Sequence, residues 1–344
     1  MWIHTGPEYD SLMVWTIQRL GPLRDSGGGP YAFTAAHHRL IGTDSKGRVF
    51  ALSPDPSVLV FDSSGRFAGR LGRRGSGPGE LQFPVALTVS EGTITVHDAV
   101  RRALIRWSVT STLLADSVLE GRDATATTVA RFSSGSVFEH RLVEAGGIRQ
   151  QLERADQAVI GTVSTPTREA RFKCVTLRDL SPLFAASLVW SANESFVAVS
   201  NGQEYVVDVL DRRGVRRSLR RPLRARAPQR GDVERLFPGG MSISLGSGPD
   251  CVIPSDELIA QQGMSSTMPI VTDLFVRANG ETWVQRSEGE TFLIDVFGEQ
   301  GGYRGTTGAV ALPVAELPGN VFLVPQPGLD GGSVTLHRVR LTRP

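Results

Sequence analysis

Five residues of this chain have side chains that commonly coordinate metal ions or transfer protons. They are two imidazoles and three carboxylates: His38, Glu80, Asp98, His140 and Asp273. Such groups can hold Ca²⁺ or Zn²⁺ when they converge on one point. The alternative is that each side chain forms hydrogen bonds within its own loop, as polar residues at loop ends often do. We favour the loop interpretation, so no cofactor is predicted, and Ca²⁺ or Zn²⁺ is expected only if the protein is an enzyme.

The local motifs of common hydrolases are absent from the sequence. It contains no Gly-x-Ser-x-Gly, His-Glu-x-x-His or Cys-x-x-Cys. The glycines Gly75, Gly77 and Gly79 resemble a phosphate-binding loop, but Pro78 and the β-rich segment that follows are unlike the strand-to-helix turn that such a loop requires. We interpret this segment as a linking turn, and a non-enzymatic function is the favoured prediction.

An arginine-rich segment is the most prominent charge feature. Nine arginines lie between Arg212 and Arg230. Successive strand residues point to opposite faces, so a strand here would be charged on both faces and would suit an exposed sheet edge. The alternative is a polyanion site, whose candidate donors are Arg216, Arg217, Arg220 and Arg221. No aromatic residue for base stacking lies between Tyr205 and Phe237, which makes nucleic acid an unfavoured partner.

The overall composition indicates a soluble protein with a large core. The chain has 344 residues, of which 40% are hydrophobic, and its 37 basic and 35 acidic residues give a net charge of +2. The first ten residues include two acids and no apolar run, so we expect no signal peptide in this sequence. The uncharged segments are too short to predict a membrane span, and a monomer is expected. Whether the N-terminus is complete stays open.

Two cysteines, Cys174 and Cys251, are too few for a disulfide framework or a tetrahedral zinc site of their own. A single bridge between them is possible, because nothing in the sequence shows how far apart they lie. The favoured interpretation is that both are small apolar packing residues.

An internal repeat organises the chain. In each of six copies, a short apolar run, a small turn and a second β-rich run follow one another. The turn positions are Gly47, Gly92, Gly135, Ser195, Gly280 and Gly319. Tight hairpin turns need positive φ, which favours glycine, and Asn279-Gly280 is the strongest hairpin pattern of the set. A second strand pair follows most copies, so the sequence predicts an all-β protein: a six-bladed β-propeller with four-stranded antiparallel blades.

The two ends of the chain are expected to close the ring. The last copy has one strand too few, and an alternating segment at about residues 13–22 is predicted to pair with the C-terminal blade. We therefore expect one domain over residues 1–344. Irregular insertions are predicted at about 155–172 and 222–268, the second with a short helix from Ser255.

The segment from Gly75 to Ser108 resembles the NHL-repeat signature. The matching residues are Gly77, Pro78, Gly79, Glu80, Phe83, Pro84, Gly92, Val96, Asp98, Arg102 and Trp107. The whole chain is similar to NHL-like bacterial six-bladed propeller proteins of unassigned function, many of which are exported. The resemblance implies the fold, possible export to the periplasm or outside the cell, and a bracing role for Asp98. That role would leave Arg101 as a donor for an anion.

These observations predict a recognition propeller that binds a peptide, a glycan or a protein partner at the mouth of its central channel. The candidate mouth residues are His38, Glu80, Asp98, Arg101, His140 and Asp273. Function does not follow from the fold alone, because propellers host unrelated activities. A metal-dependent lactonase- or lyase-like enzyme in the channel and a polyanion-binding protein remain the alternatives.

Overall fold

Six four-stranded antiparallel sheets arranged in a ring form a β-propeller. The computed structural model describes residues 2–7, 10–121, 126–132, 135–244, 250–288, 291–328 and 332–342. The six-bladed fold predicted from the repeat is confirmed.

The first half of the chain contains three short strands and then blades I to III. The leading strands are β1 (Trp2–Thr5), β2 (Thr16–Pro22) and β3 (Ala32–Phe33). A short 3₁₀ helix follows at His38–Leu40. Blade I has β4 (Ile41–Thr43), β5 (Val49–Ser53), β6 (Ser57–Phe61) and β7 (Phe67–Leu71). Blade II has β8 (Pro84–Ser90), β9 (Thr93–Asp98), β10 (Ala103–Ser108) and β11 (Leu113–Val118). Blade III has β12 (Ala126–Phe132), β13 (Gly135–Glu144), β14 (Gly147–Arg154) and β15 (Val159–Pro166).

The second half contains blades IV to VI and two insertions. The first insertion has β16 (Arg168–Arg171) and β17 (Thr176–Leu180). Blade IV has β18 (Val189–Ala192), β19 (Phe196–Ser200), β20 (Val206–Asp211) and β21 (Arg216–Arg220). The second insertion has α1 (Arg230–Leu236), β22 (Met241–Ile243), β23 (Cys251–Ile253) and α2 (Ser255–Gln262). Blade V has β24 (Val271–Val276), β25 (Thr282–Glu288), β26 (Thr291–Phe297) and β27 (Tyr303–Thr307). Blade VI has β28 (Ala315–Leu317), β29 (Val321–Pro327) and β30 (Val334–Thr342), with β2 as its fourth strand.

The ring closes through the N-terminal segment, as predicted. Strand β2 pairs antiparallel with β30, and Thr16 lies opposite Thr342. The same segment also contacts two other blades: β1 pairs parallel with β21 of blade IV, and the Met13 amide donates to the Thr306 carbonyl of β27 in blade V. The arginine-rich strand β21 is therefore not the exposed edge that we expected, because β1 covers it.

The hydrophobic core is divided among the contacts between neighbouring blades. Phe50 of blade I, for example, packs in one cluster with Leu87 of blade II, and Leu59 of blade I packs in another with Leu323 of blade VI. Burial of each such side chain contributes about 1.5 to 3 kcal/mol. Since every blade is held on both sides by its neighbours, the innermost strands that line the channel have a fixed position.

The two insertions pack together into one unit, which we call the insertion module. It has its own apolar cluster, which includes Phe172 and Leu258, and a disulfide between Cys174 and Cys251 joins its two halves. The interpretation of both cysteines as packing residues is wrong, because the two insertions fold against each other and place the Cα atoms of these cysteines, 77 residues apart in the chain, 5.8 Å apart.

The first insertion starts later than predicted, whereas the predicted helix is present. The first insertion begins after Pro166, later than the pattern suggested, because residues from Val159 onward form the outermost strand of blade III. The predicted helix is present as α2, with Asp256 and Glu257 in its first turn. Among the described residues, no helix is both long and apolar enough to cross a membrane.

Candidate functional site

The channel has two different faces, set by the direction of the innermost strands. On the hairpin face, these strands end in the first turn of each blade. Four of the turn glycines found in the repeat, Gly47, Gly92, Gly280 and Gly319, have φ values of 77°, 74°, 88° and 80°. On the linker face, the innermost strands begin, and both insertions enter their following blades there.

A cavity of about 460 Å³ occupies the channel. Its lining comes from all six blades and includes Thr43, Leu87, Arg131, Trp190, Phe275 and Leu317. At one end it reaches turn residues of the hairpin face, among them Ser195 and Pro318, and at the other it reaches His38 and Arg39. A cavity of this size, with mixed apolar and polar lining, is typical of a site for a small ligand.

The segment His37–Leu40, which we call the linker segment, is anchored at the linker end of this cavity. The His38 Nε2 atom is 3.1 Å from the carbonyl oxygen of Trp190. The Arg39 guanidinium donates to Glu139 Oε2 at 2.9 Å and lies 4.3 Å from the centre of the Trp190 ring. These contacts join the segment that precedes blade I to blades III and IV across the channel.

His37, His38 and Asp273 form a cluster at the linker face. The distance is 3.8 Å from His37 Nε2 to Asp273 Oδ2, and also 3.8 Å from His38 Nδ1 to Asp273 Oδ1. The two imidazole rings lie 4.0 Å apart. One nitrogen or oxygen atom from each residue can be chosen so that all three lie within 4.8 Å of one another. Imidazole nitrogens and a carboxylate oxygen are donor types found at transition-metal sites.

Burial disfavours the charged forms in this cluster. It raises the pKa of Asp273 to about 6, an effect that the Leu274 amide and the Arg39 charge partly oppose. Burial and the nearby Arg39 lower the pKa of His37 to about 4, and burial holds the pKa of His38 well below its usual value. All three side chains are thus in surroundings that stabilise their charged forms less than water does.

Two charges in the cavity lining have no partner among the residues that the structure describes. Glu316 is paired with Arg277, and Asp44 is paired with Arg48. Within the described part of the chain, the half-buried side chains of Arg131 and Glu194 form no ion pair or hydrogen bond, although both line the cavity. The Ser90 hydroxyl, also in the lining, is buried without a described partner.

Three of the predicted mouth residues brace the connection between blades I and II instead. Asp98 is fully buried and accepts hydrogen bonds from the Gln82, Phe83 and Arg101 amides at 2.5, 3.1 and 3.0 Å. The Arg101 guanidinium donates to both carboxylate oxygens of Asp116 at 2.9 Å, so it is not the free donor that we expected. Glu80 accepts from the Gly77 amide at 2.9 Å and pairs with Arg73. None of the three lines the cavity.

His140 also lies away from the cavity. It is 1% exposed within β13, and its Nε2 atom is 3.9 Å from Glu153 Oε2. Of the six residues predicted at the mouth, the structure therefore brings together two, His38 and Asp273.

The candidate polyanion donors are mostly engaged in contacts within the protein. Arg216 pairs with Asp208 at 2.5 Å, and Arg217 donates to the carbonyl oxygen of Glu299. The Arg221 side chain is fully buried between Asp295 and Asp10. Arg220 is exposed and makes a 3.4 Å contact with the Ser218 hydroxyl. Their contacts are those of a structural strand rather than of an open basic surface.

Four residues of the site were not singled out from the sequence: His37, Arg39, Arg131 and Glu194. His37 could have been found from the His-His pair directly before the first innermost strand. Arg131 lies one residue before the end of an innermost strand and Glu194 lies in a first turn, so both occupy the strand ends that surround a propeller channel.

Comparison with known proteins supports the class of fold. Residues 43–120 match a family described as a 6-bladed beta-propeller. The structure of the chain and this sequence match thus agree on a six-bladed propeller. No curated protein matches it.

Two solved structures are similar over nearly the whole chain. A protein of Bacteroides fragilis NCTC 9343, named only for its expected export, has a TM-score of 0.58 and 10% identity, covering 99% of this chain and 100% of its own. A member of the DUF4221 family from Bacteroides vulgatus has a TM-score of 0.52 and 8% identity, covering 98% of this chain and 100% of its own. At these identities the likeness is one of fold alone.

Proposed function

We propose that this propeller is a non-enzymatic recognition protein that binds a short peptide segment in the channel cavity, through the hairpin face. The observation that carries the proposal is the cavity itself. It has a volume of about 460 Å³, is lined by all six blades, and is bounded at its far end by the linker segment. Binding sites of this kind are concave, largely preformed and mixed in polarity.

The unpaired charges favour a peptide over a neutral glycan. A half-buried charge without a partner is costly, and a ligand group of opposite charge would relieve that cost. Arg131 can pair with a ligand carboxylate, and Glu194 can pair with an amine or a guanidinium. Peptides carry both kinds of group, together with backbone amides that the hydroxyls of Ser90 and Ser195 can bond.

A metal-assisted lactonase- or lyase-like reaction is the second candidate function. One observation favours it: His38 lines the cavity and also faces Asp273. Two acids of the hairpin face, Asp44 and Glu316, do not favour it, because each is paired with an arginine.

We also propose that the protein works in an oxidising compartment. The support is the bridge between Cys174 and Cys251, since disulfides persist mainly in exported proteins. The B. fragilis neighbour is named for export as well. Expression in the bacterial periplasm should give a protein without titratable thiols, and two free thiols in that material would contradict this location.

The peptide proposal is tested by selection from a phage-displayed library of random peptides on the purified full-length protein. Selected peptides are then measured by isothermal titration calorimetry. We expect Arg131→Ala to weaken the binding of acidic peptides at least about tenfold, since a charge-assisted hydrogen bond contributes roughly 1.5 to 3 kcal/mol.

The matched control is Arg212→Ala. Arg212 is exposed in the turn between β20 and β21, outside the cavity lining. Its loss should leave affinity unchanged. Failure to select any peptide, or equal effects of the two substitutions, would overturn the proposed function. Selection of binders that resist Arg131→Ala but respond to Arg216→Ser and Arg217→Ser would favour a polyanion surface instead.

A further inference from the structure

Two hydrogen-bond acceptors face each other at the linker mouth of the channel. The Nε2 atom of His38 is 3.1 Å from the Trp190 carbonyl oxygen, which can only accept, so Nε2 carries the proton and Nδ1 has a free lone pair. This lone pair faces Asp273 Oδ1 at 3.8 Å. A neutral imidazole nitrogen and a carboxylate oxygen repel each other in this arrangement unless a proton or a metal ion lies between them.

The spacing of these atoms suits a metal ion. In a tetrahedral site with bonds of about 2.0 to 2.1 Å, neighbouring ligand atoms lie roughly 3.3 Å apart. The two 3.8 Å separations run to different oxygens of Asp273, and one ligand atom from each of the three residues can be chosen so that all lie within 4.8 Å of one another. Inward movement of the side chains would therefore complete the coordination. Two imidazoles and one carboxylate leave further positions open for water or another ligand.

The surroundings support His38 and Asp273 as ligands more than His37. The Trp190 carbonyl fixes the tautomer and orientation of His38, and the Leu274 amide donates to Asp273 Oδ1 at 2.8 Å, as groups around metal sites commonly do. His37 Nδ1 accepts the Arg39 amide at 3.2 Å, which places its proton on Nε2, the atom that faces Asp273. His37 can therefore become the third ligand only after it gives up this hydrogen bond.

The neighbouring cation does not prevent metal binding. Arg39 follows His38 directly, and its charge would repel a metal ion if it were unpaired. Its guanidinium is turned to Glu139 at 2.9 Å and stacks on Trp190, so its charge is compensated on the side of blades III and IV.

We propose that His38, Asp273 and His37 bind a divalent late first-row transition metal ion such as Zn²⁺, Co²⁺ or Ni²⁺. Imidazole ligands select these metals over Mg²⁺ and Ca²⁺, which prefer sites made only of oxygen atoms. The ion would connect the linker segment to strand β24 of blade V. This inference does not depend on peptide binding in the cavity.

The test is titration of Co²⁺ and Zn²⁺ into chelator-treated full-length protein without a histidine tag. Visible absorption bands of Co²⁺ and calorimetry give the geometry and the affinity. We expect one bound ion per chain and a higher melting temperature with Zn²⁺, because a ligand that binds the folded state stabilises it. Mg²⁺ at the same concentration should have no effect.

Variants of the three proposed metal ligands are compared with variants of residues outside the cluster. His38→Ala and Asp273→Asn should each weaken Co²⁺ binding more than about 100-fold, beyond the usual effect of losing a supporting residue, while His37→Ala should weaken it less. Asp273→Asn keeps the side-chain shape, so it remains informative if His38→Ala fails to fold. His337→Ala and Asp55→Asn, which lie outside the cluster, should bind like the wild type. Absence of Co²⁺ binding, or binding that survives Asp273→Asn, would overturn the proposal.

Discussion

The Trp190 indole Nε1–H donates a hydrogen bond of 2.9 Å to Oε2 of Glu139, the same oxygen that accepts a hydrogen bond from Arg39. One buried carboxylate thus orients the aromatic wall of the cavity and also anchors the linker segment. The residues that line the channel are held in place by side chains behind them, in the blades.

Removal of this carboxylate should strongly destabilise the fold. Glu139→Ala leaves Arg39 and the Trp190 N–H without their acceptor in a mostly buried place, so we expect the free energy of unfolding to fall by about 3 to 5 kcal/mol. Glu144→Ala on the same strand is the control: Glu144 is 44% exposed in its pair with Arg149 and should contribute less than about 1 kcal/mol. Urea unfolding gives both values, and equal losses would contradict the anchoring role.

The disulfide should stabilise the insertion module. Because it closes a loop of 77 residues, removing it in the double variant Cys174→Ala, Cys251→Ala should cost roughly 3 to 5 kcal/mol. Hydrogen exchange should become faster in β16 and α2, while the blade strands keep their protection. Reductant should reproduce the effect in the wild type and leave the double variant unchanged. Unchanged protection of α2 in the double variant would show that the module does not depend on the bridge.

His97 should make the fold less stable in mild acid. Burial lowers its pKa to about 4, against the opposing charge of Asp98, and it shares a small pocket with Arg106 and Arg131. The unfolded chain takes up a proton near pH 6.5, but the folded chain does so only near pH 4. The free energy of unfolding therefore falls as the pH decreases from about 6.5 to 4, by about 3 kcal/mol over the whole interval. Urea unfolding at about pH 7.5 and 5 should show a smaller loss for His97→Gln than for the wild type. Parallel losses would contradict the assignment.

A buried ion network should be essential where the N-terminal segment crosses blades IV and V. Asp295 accepts hydrogen bonds from Arg221, Arg286 and Tyr205 at 2.8, 3.2 and 2.6 Å, and it is fully buried. Asp295→Asn should cost about 3 to 5 kcal/mol, because two buried cations lose the fully buried carboxylate that they share. Asp10→Asn should cost less, since Asp10 is 39% exposed. Chemical denaturation compares the two variants, and a larger effect of Asp10→Asn would refute this ranking.

The fold could be predicted because its main features depend on local sequence. A turn such as Asn279-Gly280 requires a residue that tolerates positive φ, and this requirement appears as a glycine in four of the six copies of the repeat. The closing strand could be found from its alternation and from the missing strand in the last copy. His38 and Asp273 were placed at the mouth because both lie near an end of an innermost strand.

The remaining features depend on contacts between distant segments. Cys174 and Cys251 belong to different insertions, and no local pattern shows that these pack together. Strand β1 pairs with β21 through backbone hydrogen bonds at the edge of blade IV, and no particular side chain is needed for this pairing. His37 precedes the regular strand, where alternation no longer fixes the direction of a side chain. The pair of Arg101 and Asp116 could not be predicted, because Arg101 lies in the turn after β9 and Asp116 lies on β11.

The most direct test of the central claim is to block the channel at the hairpin face. Ala278 is exposed and lines the cavity, so Ala278→Trp places a large ring at the mouth without disturbing the core. Ala68→Trp, at an exposed position on the outermost strand of blade I, is the matched control. Calorimetry with the selected peptides should show at least about tenfold weaker binding for Ala278→Trp and unchanged binding for the control. Full affinity in Ala278→Trp would contradict recognition through the channel.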